Sequence, residues 1–183
     1  MSHQPAVRYG GMAQSAHWLT VLLLIGSFTL GYVMTDMAMS PTRLKLFAYH
    51  KWIGVTIFAL VALRLGWRLF VPPPPLPASM AVWERRLAAV THALLYGLLF
   101  MVPLSGWLMS SAKGFQTVYF GVLPIPDLLG KNKELASLLE DAHEVLTCTL
   151  LGLVAMHVAA ALKHHFINRD GVLQRMLPFG SHR

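Results

Sequence analysis

Histidines on the last apolar stretch of the chain carry the spacing with most chemical content. His143, His157 and His164 follow one another at intervals of fourteen and seven residues. At about 100° per residue, fourteen helical steps return to within about 40° of the start, and seven to within about 20°. In a helix all three imidazoles therefore share one face. At a rise of about 1.5 Å per residue, His143 and His157 stand about 21 Å apart, most of the way across a hydrocarbon core of about 30 Å. One helix then offers a nitrogen ligand towards each side of a membrane, which suits two stacked metal centres rather than one.

The elements that must position these ligands are apolar. Of 183 residues, 55% are hydrophobic and 13% charged, and the mean hydropathy is +0.53. Soluble domains carry about 25% charged residues. The single cysteine, Cys148, excludes an internal disulfide and a thiolate metal cluster. A formal charge of +7 raises nucleic acid as a partner, but its distribution fits membrane topology, so no nucleic-acid partner is expected.

Four segments approach the roughly 20 residues that span a bilayer: about 16–33, 52–71, 87–109 and 142–166. The expected fold is an all-α membrane protein, a bundle of four transmembrane helices forming one domain over 1–183. Pro72–Pro75 and Pro77 stop the second segment and form a stiff linker. Between the third and fourth lies a long connection, about 110–141, whose stretch 131–140 is expected to form a short surface helix.

Basic residues set the orientation. The termini and the second-to-third loop share a side with Arg8, Arg64, Arg68, Arg85, Arg86, Lys163, Arg169, Arg175 and Arg183. The other side has Arg43, Lys45, Lys51, Lys113, Lys131 and Lys133. Two acidic residues accompany the first set and six the second, for net charges of +7 and zero. Both termini are expected in the cytoplasm. A cleaved leader is the other reading of the first segment; its removal would take His17 with it.

Depth then sorts the histidines. His50 and His143 fall in an outer layer; His17, His92 and His157 fall in an inner one, with His164 and His165 at the cytoplasmic boundary. Neutral imidazole binds haem iron, zinc and copper. A structural zinc site wants about four protein ligands, which the outer layer reaches only with Glu140, Asp141 or Glu144. Haem iron needs two, because the macrocycle supplies four. Gly26, Gly31, Gly54, Gly97, Gly106 and Gly152 either leave room for macrocycles or let helices pack closely. Arg64 follows His50 by fourteen residues. It reaches the inner layer on the same face, either to pair with a haem propionate or to snorkel to the interface.

The stretches SAHWLT (15–20), YHKWIGV (49–55), LRLGWRL (63–69), PLSGWLM (103–109), AHEVL (142–146) and GLVAMHVAAALKHHFINRDGVLQRMLP (152–178) resemble prokaryotic cytochrome b561. The resemblance runs from about Tyr9 to Pro178. It implies a four-helix bundle holding two haem b groups, one between His17 and His157 and the other between His50 and His143. It thus selects His17 over His92, which depth alone leaves open. With two histidines on each iron no position is free for oxygen, so the chemistry is electron transfer. The resemblance also implies ubiquinone as acceptor at the cytoplasmic end beside His164, and superoxide as donor for some members. Positive charge at Lys51 and Lys113, with Arg43, Lys45, Lys131 and Lys133 nearby, would steer such an anion. The leading expectation is a superoxide oxidase (superoxide:ubiquinone oxidoreductase) whose partners are superoxide, ubiquinone and membrane lipid. The alternatives are a cytochrome b subunit serving a redox partner protein, and a haem-free ion or metal transporter.

Overall fold

Each apolar segment falls mostly within a helix longer than the segment itself; the second and fourth run one and three residues past the ends of their α-helices. The computed structural model describes residues 8–77 and 80–178; Arg183, counted above among the basic residues, lies outside them. Helix α1 spans Gly11–Thr35, α2 Pro41–Phe70, α3 Val82–Ala112 and α4 Lys133–Lys163. All four are long and apolar enough to cross a membrane.

The extra length is polar, which is why hydropathy alone passes over it. Helix α2 starts at Pro41 and not near Trp52, because Ser40 caps it: the Ser40 hydroxyl accepts from the Arg43 N–H at 3.2 Å, and Pro41 needs no partner for a missing donor. Arg43 Nε in turn donates to the Met34 carbonyl at 2.9 Å, satisfying one of the last carbonyls of α1. The expected surface helix over 131–140 is not a separate element. Asn132 accepts from the Leu135 N–H at 3.0 Å, and α4 runs unbroken from there through His157.

Helix α1 packs along α2, α2 on α3, and α3 along α4. Their shared core is narrow: Ile57, Val61, Leu99 and Leu150 are buried, flanked by Leu23, Phe28, Ile53 and Val154. Outside it, large apolar side chains face outward, Leu63 at 71% exposure and Leu69 at 84%. In water that surface would be costly; in lipid it is solvated, and helices meet the bilayer's demand that backbone groups be paired within the segment.

Two non-helical devices close the ends. The connection between α3 and α4 holds a small antiparallel hairpin, β1 (Val118–Tyr119) with β2 (Leu123–Pro124). Its turn takes Phe120 and Gly121 through φ of 51° and 72°, the left-handed pair that suits a tight hairpin. Trp52 Nε1 donates to the Val118 carbonyl at 2.7 Å and Trp107 Nε1 to the Pro126 carbonyl at 3.0 Å, fixing the connection over α2 and α3. At the opposite end the tail returns to the start. The Arg175 carbonyl accepts from the Tyr9 N–H (3.2 Å) and from Gln14 Nε2 (3.0 Å), and Trp18 Nε1 donates to the Met176 carbonyl (2.9 Å). Arg175 Nη1 donates to the Pro75 carbonyl at 2.6 Å, so the tail also ties down the proline linker.

Candidate functional site

The histidines of α1, α2 and α4 meet in two layers. In one, the ring centroids of His50 and His143 are 6.3 Å apart with the planes at 85°. In the other, His17 and His157 are 6.4 Å apart at 67°. His92, on α3, also reaches His157, but at 5.3 Å.

These spacings have a chemical meaning. A metal binds imidazole nitrogen at about 2.0–2.1 Å, and that nitrogen lies about 1.1 Å from the ring centre given ordinary ring bond lengths. Two rings on opposite sides of one metal therefore have centres about 6.3 Å apart. His17/His157 and His50/His143 match that figure; His92/His157 is about 1 Å too close for it. Among the described residues no group of three or more His, Cys, Asp or Glu side chains is placed to hold a metal ion. The pairs suit a centre that brings most of its own ligands.

In the His50/His143 layer the backbone fixes which nitrogen is available. His50 Nδ1 lies 3.1 Å from the Ser27 carbonyl and 3.3 Å from the Ser27 hydroxyl. His143 Nδ1 lies 3.1 Å from the Val102 carbonyl and 2.9 Å from the Ser105 hydroxyl. A carbonyl only accepts, so in each ring Nδ1 carries the proton and donates it, and Nε2 keeps its lone pair. Helix α3 approaches closely here. A Cβ at Gly106 would lie 3.1 Å from His143 Cε1, whereas one at Gly31 would clear His50 Cε1 at 3.7 Å. Sequence reading saw these glycines but not the serines. A serine four residues before Gly31 and another directly before Gly106 were the available signal.

The His17/His157 layer is more polar. Arg64 turns into the bundle, where Nη1 donates to the buried Thr20 hydroxyl at 3.4 Å and the guanidinium lies 5.5 Å from the Tyr96 ring centre. Arg68 approaches the same ring at 5.2 Å. Beside them His92, Tyr96, Arg68 and Tyr9 line a cavity of about 420 Å³ under Pro73 and Pro74.

Beyond this layer α4 widens into a π-helical turn, His164–Asn168. His164 Nδ1 sits 2.5 Å from Asp170 Oδ2 and 3.1 Å from Asn168 Nδ2. Asp170 is one of the two acidic residues on the side that holds the termini. His165 points elsewhere, to Gln174 Nε2 at 3.3 Å.

At the other end Lys51 and Lys113 are drawn to one place, each with a partner. Lys51 Nζ donates to the Phe115 carbonyl at 2.8 Å, and Lys113 Nζ pairs with Glu140 at 2.9 Å. Lys113, Lys131, Lys133, Phe115 and Glu140 line a second cavity of about 420 Å³. Arg43 and Lys45 do not join it: Arg43 caps α1 and Lys45 is exposed.

Comparison with known proteins gives these layers a context. The family model described as prokaryotic cytochrome b561 matches residues 8–179. Cytochrome b561 homolog 2 of Escherichia coli K12 is 36% identical over 172 residues, covering 93% of this chain and 91% of the relative. Probable superoxide oxidase CybB of Yersinia pestis is 29% identical over 181 residues, covering 93% and 96%. Cytochrome b561 homolog 1 of E. coli K12 is 29% identical over 174 residues, covering 88% and 92%. With the match running from the first described residue to the end of the tail, and four helices suited to crossing a bilayer, this chain is a multi-pass bacterial membrane protein and belongs to the prokaryotic cytochrome b561 family, whose cofactor is b-type haem and whose work is electron transfer across the membrane.

Proposed function

We propose that the protein is a superoxide:ubiquinone oxidoreductase of the bacterial inner membrane, with two haem b sites and both termini in the cytoplasm. His50 and His143 would hold the outer haem, and His17 and His157 the inner one. The observation that carries this is the pair of matched ring spacings, 6.3 and 6.4 Å, each at the separation that two nitrogens of one iron require. When bound, haem b supplies reversible one-electron transfer at iron.

The chain's own residues do the rest. The Ser27 and Val102 carbonyls hold the Nδ1 protons of His50 and His143 and so present the Nε2 lone pairs inward. Two histidines holding each haem would leave its iron no open position for oxygen, so the chemistry supplied would be electron transfer. The packed residues between the layers, Ile57, Val61, Leu99 and Leu150, exclude water from the path. Arg64, held between Thr20 and Tyr96, would pair with a propionate of the inner haem.

Each superoxide anion gives up one electron and leaves as dioxygen. Two such electrons, with two protons from the cytoplasm, convert ubiquinone to ubiquinol beside His164. Lys51, Lys113, Lys131 and Lys133 around the outer cavity would attract the anion. The likeness to probable superoxide oxidase CybB supports this donor. Rapid mixing of the oxidised protein with superoxide and a ubiquinone analogue is the test. The expected result is haem reduction followed by quinol formation. Haems that superoxide does not reduce would sink the enzyme reading and leave a cytochrome b subunit serving a partner protein.

A further inference from the structure

Where α4 ends, the chain makes a construction that the electron path alone does not require. The helix widens to the π turn His164–Asn168, and Arg169 then adopts the left-handed conformation, φ 52° and ψ 36°. A non-glycine residue held there stores strain. The reversal brings the next residue, Asp170, back beneath His164. Its N–H approaches the His164 carbonyl at 3.4 Å, and its Oδ2 reaches His164 Nδ1 at 2.5 Å. The other oxygen, Oδ1, accepts from the Val172 N–H at 3.2 Å, so both oxygens of the carboxylate are fixed. The two side chains are mostly buried, at 12% and 9% exposure.

Asn168 Nδ2 also lies near Nδ1, at 3.1 Å, but the carboxylate at 2.5 Å is the nearer partner and only accepts, so Nδ1 carries the proton. On the neighbouring α3, Glu84 is ion-paired with Lys163, which also lies over Trp83; one charge offsets the other. His165 is turned to Gln174, and Arg169 Nε donates to the Phe166 carbonyl. Phe166 and Ile167 of the same turn are exposed at 65% and 74%, which gives a lipid-borne molecule an apolar flank to approach along.

We propose that Asp170 is a positioning residue for proton delivery to the quinone: it holds the proton on His164 Nδ1, so that Nε2 is the atom that takes a proton from water and passes it to a quinone oxygen. This rests on the reading that quinone is reduced beside His164. Nε2 accepts a proton, the Asp170 carboxylate balances the ring's charge, and the proton then leaves to the oxygen as the electron arrives from the inner haem. Two such deliveries and two electrons make one quinol. An aspartate fixing a histidine's tautomer is the role known from hydrolytic triads, where exchange for asparagine leaves the geometry but inverts the tautomer.

The test uses the haem-loaded protein in detergent with a short-chain ubiquinone. Asp170→Asn offers an amide donor to Nδ1 and drives the ring proton to Nε2. Maximal quinone-dependent haem reoxidation should fall about a hundredfold, the lower range for loss of acid–base catalysis. The KM for quinone, the haem spectra and haem reduction from the outer side should be unchanged. Asp170→Glu, which keeps the carboxylate, should recover most of the rate. Normal reoxidation in Asp170→Asn overturns the proposal, as does an Asp170→Glu variant as slow as Asp170→Asn. If Asp170→Asn does not retain both haems, His164→Gln replaces it, and an unchanged maximal rate there overturns the proposal equally. Failure of the wild type itself to pass electrons to quinone would instead refute the quinone reading beneath it.

Discussion

The two histidine layers match in ring spacing and differ in nearly everything around it. The His50/His143 layer is held by neutral groups: two backbone carbonyls, two serine hydroxyls and a glycine that brings α3 close. The His17/His157 layer is bordered by a third histidine, two arginines and Tyr96, and it opens on a cavity beneath the proline linker. In low dielectric, neutral hydrogen bonds fix a ligand's orientation without the desolvation cost of a charge. The outer layer is therefore built for rigid ligand geometry. The inner layer keeps cations at hand for an anionic group.

Removing ligands breaks the comparison most severely. His50→Ala is expected to lose the outer haem and His17→Ala the inner one, each leaving one haem per chain by pyridine haemochrome assay. His92→Ala is expected to keep two, because its ring lies too close to His157 to share a metal with it. Loss of a haem in that variant would reverse the assignment of the inner ligands.

A smaller perturbation sharpens the contrast in packing within the outer layer. Gly106→Ala sets a methyl 3.1 Å from a ring that two hydrogen bonds hold in place. Overpacking of this kind costs about 1–3 kcal/mol, so haem retention at that layer should weaken about tenfold or more on titration with a competing haem acceptor. Gly31→Ala, with 3.7 Å to spare, should not differ from wild type. Equal behaviour of the two would mean that His143 is less firmly held than its hydrogen bonds indicate.

The smallest expected effect concerns charge at the outer end. Because Lys113 is paired with Glu140, Glu140→Gln should speed haem reduction by superoxide about twofold to threefold, and Lys113→Ala should slow it by a similar factor. Both changes should fade at high salt. A response that ignores ionic strength would show that these residues do not act by steering.

The helices were legible because lipid-facing and core positions are both apolar, which makes each spanning segment a long run. Their ends were not. Arg43, Lys45 and Lys51 interrupt hydropathy within α2, and the polar stretch Lys133–Glu140 hides the first turns of α4, although Ser40 and Asn132 are ordinary capping residues. Spacing along one helix gave the shared face of His143, His157 and His164, because that is a property of a single element. Distances between elements had no such signal. His17 and His92 lie at similar depth, and only the packing of α1 and α3 against α4 separates 6.4 from 5.3 Å. The hairpin at Phe120–Gly121 and the return of Asp170 to His164 depend on backbone conformations that the neighbouring residue types permit but do not demand.

Helix α4 contributes one histidine to each layer, and among the four described spanning helices it is the last to be made. Neither pair exists while the first three helices are leaving the translocon. A nascent chain stalled or cleaved before α4 would hold His17 and His50 without partners, so it could not sequester the cofactor or short-circuit the membrane. Under the proposed haem assignment, loading of either site would have to wait for α4, so insertion of the first three helices would precede it.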